Sequence, residues 1–229
     1  MKAQLLIAAA GPGLRLGYDL PKALIPIDGV PLVAHTLRRF EALDLTNGAV
    51  VAVPSAARDQ FEVAISQAYP DASITLIDGG AERQDSVENL LAAVRGGTEL
   101  VIIHDAARPF VAETSIRETM EAAEAIGAAT LATPCVDTIL IADDAAMLQS
   151  TPERSGLWAC QTPQIFRTDI IREAYSAAHD AGATYTDDAS LVRAAGHAVR
   201  IVTGSAENFK ITTPHDLAFA TQKMREEKV

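Results

Sequence analysis

The chain has 229 residues, 48% of them hydrophobic, and a net charge of −11 from 19 Lys and Arg against 30 Asp and Glu. That size and composition suit a globular α/β protein with a substantial core and exclude a disordered chain. The acidic balance argues against nucleic acid or anionic lipid as a partner, so an anionic small molecule would need cations gathered locally.

The first element is the apolar run Leu5–Ala9, read as a buried strand that empties into Ala10-Gly11-Pro12-Gly13-Leu14-Arg15-Leu16-Gly17 and then Pro21-Lys22. No run approaches the roughly 18 apolar residues that span a bilayer, and the opening Met1-Lys2-Ala3-Gln4 merges with this strand, so it reads as mature structure rather than a signal peptide. Glycines let the backbone turn and present N–H groups to an anion, and Arg15 and Lys22 add full charge. The loop is not a Walker A motif, because Tyr18 follows Gly17. Nor is it a dinucleotide fingerprint, since the third glycine falls at Gly17 where Leu16 would have to be one.

Further apolar strand candidates stand at Ala49–Val53, Ser73–Ile77, Leu100–His104, Ala128–Thr133 and Val199–Thr203, several of them almost wholly apolar rather than alternating, as expected of parallel strands covered on both faces. Helical segments are predicted between them at Leu32–Ala42, Ala56–Ala68, Asp85–Val94, Ala112–Ile126, Asp169–Ala181 and Asp188–Ala195. Within the second, Phe61, Ile65 and Ala68 form one core-facing stripe. A last helix follows Thr213, with Pro214 at its first position and Asp216 placed for a capping box. The alternation predicts right-handed crossovers and a doubly wound, mostly parallel sheet in a single domain spanning 1–229. From Cys135 to about Gln161 the rhythm breaks, and the residues read as a projecting β-arm whose apolar side chains a second subunit would cover. Cys135 and Cys160 form no C-x-x-C pair and read as free thiols of a cytoplasmic protein.

Ligands of such sheets bind beyond the carboxyl ends of the strands. Two more loops leave those ends. Gly79-Gly80-Ala81-Glu82-Arg83-Gln84-Asp85-Ser86 leads into a helix predicted to start at Asp85, whose N-terminus accepts anions or is simply capped by Asp85. His104-Asp105-Ala106-Ala107-Arg108-Pro109 puts a carboxylate after a buried strand, as a ligand for Mg²⁺ or as an ion partner of Arg108. His104 itself reads as a packed strand-end residue. Thr186-Asp187-Asp188 reads as a helix cap in preference to a metal site, and Lys210 follows another strand between apolar neighbours. Zinc-binding spacings and protease-type elbows are absent.

In this order the motifs from Ala9 to Lys22, from Gly79 to Val87 and from His104 to Pro109 resemble the 2-C-methyl-D-erythritol 4-phosphate cytidylyltransferases. Asp137-Thr138, Arg154-Ser155-Gly156-Leu157-Trp158, Gln161-Thr162-Pro163-Gln164 and Lys210-Ile211-Thr212 extend the resemblance to nearly the whole chain. It implies a Rossmann-like nucleotidyltransferase fold and a homodimer with interlocking arms. It also implies transfer of CMP from CTP to methylerythritol phosphate, with Mg²⁺ present and pyrophosphate released. By the resemblance, Ala9, Ala10, Gly11, Gly13, Gly80, Ser86 and Ala106 would cradle CTP, while Arg15 and Lys22 would hold the triphosphate. Asp105, Arg108, Thr162, Thr186 and Lys210 would face the acceptor, Asp105 also serving the metal, and Thr138 and Arg154 would reach it from the partner's arm. Pro12, Leu14, Ala81 and Ala23 depart from the family pattern. Other readings of the same residues are a cytidylyltransferase for another polyol phosphate such as ribitol 5-phosphate, a silent nucleotide-binding subunit, and, against the glycine spacing, a nicotinamide-dependent dehydrogenase.

Overall fold

The computed structural model describes residues 2–13, 16–43, 45, 48–70 and 73–227, and seven of its strands form one sheet. They are β1 (Ala3–Ala8), β4 (Ala49–Val53), β5 (Ile74–Asp78), β6 (Leu100–Asp105), β7 (Ala128–Pro134), β10 (Trp158–Arg167) and β11 (Arg200–Thr203). Across the sheet they lie in the order β11-β7-β10-β6-β1-β4-β5. β1 pairs in parallel with β4 and β6, β4 with β5, and β11 with β7. The six predicted strands are all present, Ala49–Val53 with the bounds expected and the others with ends moved by one or two residues. Sheet and flanking helices are thus α/β, doubly wound and mostly parallel.

The central strands are apolar on both faces because both faces are covered. Leu5, Ile7, Val51 and Ile102 pack under α1 (Leu32–Arg38), α2 (Arg58–Ala68) and α4 (Glu113–Ile126) in one core. Leu6, Val50, Val101 and Ile103 face the other core, with α3 (Arg83–Ala92), α5 (Thr168–Asp180) and α6 (Asp188–Ala194). Phe61 and Ile65 are buried along the predicted stripe of α2. α4 ends at Gly127, whose φ of 102° closes the helix in the left-handed region.

Two features were not predicted. β10 runs antiparallel between β6 and β7, opposing Gln164 to Ile103 and Phe166 to Ala128, with a register shift on the β7 side between Cys160 and Gln164. A small ribbon of β2 (Pro26–Ile27) and β3 (Val30–Pro31) turns at Asp28 and Gly29, both at positive φ. Onto it packs α7 (Pro214–Glu226), which starts at the predicted Thr213–Asp216 capping box with Pro214 in its first turn.

The predicted arm contains the short hairpin of β8 (Ile141–Ala142) and β9 (Leu148–Ser150). Val136, Leu140, Met147 and Leu148 are each more than half exposed there. No helix among the described residues is long and apolar enough to cross a membrane.

Candidate active site

From β1 the chain moves to β4 and β5 on one side and to β6 on the other, so the β1–β6 boundary is where the winding reverses. Open α/β sheets leave a crevice at such a point, because successive loops diverge there. A cleft of about 380 Å³ lies at this boundary. Its walls include Ala9, Ala10 and Gly11 after β1, Lys22 on a short 3₁₀ turn, Gly80 and Ser86 before and in α3, Asp105 at the end of β6 with Ala106 after it, and Lys210 before α7. Nine of the residues assigned from sequence therefore meet in one place. Arg15 lies outside the described residues.

Close backbone approach shapes the wall made by the loops after β1 and β5. A Cβ on Gly79 would collide with that of Ala10, so the loops after β1 and β5 meet only because glycine stands there, and one on Gly80 would collide with that of Asp85 within its own segment. Gly13 does not line the cleft. It sits behind Lys22 at a φ of 74°, where a Cβ would come within 2.8 Å of the lysine Cβ. α3 starts at Arg83, not at Asp85 as predicted. Glu82 is its N-cap, and Asp85 is the third helical residue, accepting the Glu82 N–H at 3.0 Å. Gly80 N–H donates to Ser86 Oγ at 3.0 Å.

The charged side is built around Asp105, which is 6% exposed. Its Oδ1 accepts from Arg83 Nε at 3.2 Å and its Oδ2 from Lys210 Nζ at 2.7 Å. Burial opposes its charge, but Arg83 and then Lys210 hold its carboxyl well below the usual carboxylate range. The pairing with Arg108 weighed from sequence is replaced by these two. Arg108 instead donates to the carbonyls of Asn208 at 2.7 Å and Cys160 at 3.3 Å. These acceptors are neutral carbonyls, while the charge of Asp105 acts on the guanidinium through space. Lys210 is set on the rim by its neighbour Ile211, which is fully buried and bonded through its N–H to Ala107 O at 2.9 Å.

His104 is a packed residue, as expected. Its Nε2 faces the Arg108 carbonyl at 3.0 Å and its Nδ1 the Thr162 hydroxyl at 3.0 Å, while Phe40 meets the ring edge-on. These partners assign the neutral tautomer, with Nε2–H donating and Nδ1 accepting. Burial pushes the ring down to about 4. Thr162 Oγ1 also accepts the Asp105 N–H at 3.1 Å, so in this arrangement the hydroxyl pins β10 to β6. Asp187 caps α6 through Ser190 N–H at 2.9 Å, as predicted.

Thr138, Arg154 and Thr186 are exposed and do not line the cleft. Arg154 donates to Val136 O at 2.6 Å within the arm. Sequence reasoning gave no role to Arg83, the cation that joins Asp105 to Asp188. Its only signal was its place in the glycine-pair loop, and the partner on α6 is more than a hundred positions away.

The family model described as IspD, 2-C-methyl-D-erythritol 4-phosphate cytidylyltransferase, matches residues 3–226. A 2-C-methyl-D-erythritol 4-phosphate cytidylyltransferase of Alkaliphilus oremlandii is 40% identical over 225 residues, covering 98% of this chain and 95% of that one. The protein of the same name from Geobacillus thermodenitrificans is 43% identical over 220 residues, covering 96% of each. Among solved structures, 2-C-methyl-D-erythritol 4-phosphate cytidylyltransferase from Thermus thermophilus superposes with a TM-score of 0.81 at 36% identity. The match covers 98% of this chain and 100% of that one.

Proposed function

The chain belongs to the 2-C-methyl-D-erythritol 4-phosphate cytidylyltransferase family, and we propose that the β1–β6 cleft is where it joins CTP to that acceptor. The observation that carries this reading is the convergence of the glycine-shaped loops with Lys22, Arg83, Asp105 and Lys210 on one cleft. The products are 4-diphosphocytidyl-2-C-methyl-D-erythritol and pyrophosphate.

The attacking atom is an oxygen of the acceptor's phosphate monoester. Its second pKa is about 6, so it is already largely ionised at neutral pH and needs no general base. That oxygen bonds to the α-phosphorus of CTP, and the bond from the α-phosphorus to the bridging oxygen breaks with its electrons going to pyrophosphate. The protein's task is to align two anions and neutralise the charge that builds on the departing group. Ala9, Ala10, Gly11, Gly80, Ser86 and Ala106 form the nucleotide cradle, and Gly13 supports it by letting Lys22 pack closely. Lys22, with Arg15, meets the triphosphate. Asp105 and Lys210 meet the acceptor from the cleft wall, and Arg108, Thr162 and Thr186, which stand outside that lining, meet the part of it that extends beyond the cleft.

Among the described residues no group of three or more His, Cys, Asp or Glu could cage a metal. That donor set fits Mg²⁺ bound chiefly by phosphates and water, since this ion commonly takes one or two carboxylates. Asp105 is the residue that would hold it, using lone pairs beyond those bonded to Arg83 and Lys210. When bound, Mg²⁺ neutralises triphosphate charge.

The apolar arm is the surface through which two copies pair, bringing Thr138 and Arg154 to the partner's acceptor. The reaction belongs to the cytoplasm, where CTP is made. Incubating the protein with CTP and Mg²⁺ plus either methylerythritol phosphate or ribitol 5-phosphate tests the reading. CDP-linked product and pyrophosphate are expected with the first acceptor. Turnover confined to the second, or CTP binding without turnover of either, overturns it.

A further inference from the structure

Arg83 faces the cleft, yet its guanidinium is engaged on both sides. Nε donates to Asp105 Oδ1 at 3.2 Å, and Nη2 donates to Asp188 Oδ2 at 2.8 Å. Asp188 is 1% exposed, and its other oxygen accepts from the Tyr175 hydroxyl at 2.6 Å. Its backbone N–H donates to Gln164 Oε1 at 2.9 Å, so the carboxylate cannot drift from β10. One planar cation on the first turn of α3 therefore ties the end of β6 to the start of α6. Through Asp105 it also reaches Lys210.

We propose that Arg83 is a positioning residue for the acceptor, bracing Asp105 and, through it, Lys210 against the buried Tyr175–Asp188 pair. The inference rests on the cleft being the site of cytidylyl transfer. Charge explains why a brace of this kind is needed. Arg83 and Lys210 contribute two positive charges and Asp105 and Asp188 two negative ones, so the cluster is balanced. Without Arg83 the sum is −1 beside the place where two anions must meet. Asp188 would then be a buried carboxylate without its ion partner, and Asp105 would keep Lys210 as its one hydrogen-bonded cation, drawing that ammonium away from the acceptor.

Geometry explains why the cation is arginine. A guanidinium presents donors in a rigid plane and can serve two carboxylates at once, whereas an ammonium is a point charge that must choose its direction. The same turn carries the Gly80–Ser86 contact, so the segment shaping the nucleotide wall also sets the acceptor wall. Arg83 acts on the acceptor through Asp105 and Lys210, and its loss should separate the two substrates kinetically.

The test compares wild type, Arg83→Gln, Arg83→Lys and Tyr175→Phe for kcat, both KM values and thermal midpoint. Arg83→Gln is expected to raise the acceptor KM about tenfold to a hundredfold, the range for a lost charge-assisted hydrogen bond, with the CTP KM changed less than about threefold. Arg83→Lys should recover part of that loss. Tyr175→Phe, altered behind the cleft, should raise the acceptor KM by about threefold, as for one neutral hydrogen bond. An acceptor KM in Arg83→Gln equal to wild type overturns the proposal, as does an equal rise in both KM values. If Arg83→Gln does not fold, an unchanged acceptor KM in folded Arg83→Lys and Tyr175→Phe overturns it. A wild-type protein that makes no CDP-linked product removes the functional reading itself, and the proposal with it. Wild-type turnover with unaffected variants removes the proposal alone.

Discussion

Ala10 and Gly79 stand back to back, so that the loop after β1 and the loop after β5 touch with no room for a second side chain. Gly79→Ala therefore forces a Cβ into the Ala10 methyl. Overpacking of this kind costs about 1–3 kcal/mol, and here it also parts two walls of the cleft proposed to hold CTP. The expected result is a lower thermal midpoint with weaker CTP binding by calorimetry. Adding Ala10→Gly should restore both. No recovery in the double variant would mean that the collision is not the cause.

Lys22 sits on the cleft wall in a three-residue 3₁₀ turn. If its charge meets the departing pyrophosphate, as proposed, Lys22→Ala should lower single-turnover rate by about 10² to 10³, the scale for removing one preorganised donor. The thermal midpoint should shift little. Rapid-quench measurement decides the matter, and near-normal chemistry in the variant would refute the role.

The buried neutral ring of His104 makes stability fall in acid. Its folded pKa, about 4, lies below the ordinary value near 6.5, so the unfolded chain takes up a proton that the native state refuses. Its share of stability is complete above pH 6.5 and is lost as pH falls toward 4, at about 1.4 kcal/mol per pH unit for one proton. Asp105 works in the same direction at still lower pH. Urea unfolding of ligand-free wild type and His104→Gln from pH 7.5 to 4 should show a slope smaller by one proton in the variant. Parallel curves would contradict it.

The exposed apolar side chains of the arm make a prediction about assembly. Leu140→Asp with Met147→Asp places charges where Leu140 is 59% and Met147 64% exposed, so the isolated fold should tolerate both. If the arm joins two copies, sedimentation velocity will show a dimer for wild type and a monomer for the variant, with acceptor-dependent turnover lost. An unchanged sedimentation coefficient would locate the interface elsewhere.

Much of the architecture could be read from residues because parallel strands leave a plain trace. Ala49–Val53 is apolar throughout, and both its faces are buried. Thr213, Pro214 and Asp216 announce a helix start by local chemistry alone, and the helix begins there. β10 left no such trace. Its central residues Gln161, Thr162 and Gln164 are polar yet buried, because distant partners satisfy them. Pro163 within the same segment also argues against a central strand. The β2–β3 turn did carry a hairpin signal at Asp28-Gly29, but the strands it joins are two residues each. Arg83 escaped notice for the same reason as β10, since its meaning lies in Asp188, which only the tertiary fold brings near.

β10 has a mechanical consequence. A strand barely stretches along its axis, and Trp158, where it leaves the arm, is separated from Thr162 by about 13 Å of extended chain. Thr162 in turn grips the backbone of Asp105. Whatever clamps the arm thus has a short tether to the rim of the cleft, interrupted only by the register shift that begins at Cys160.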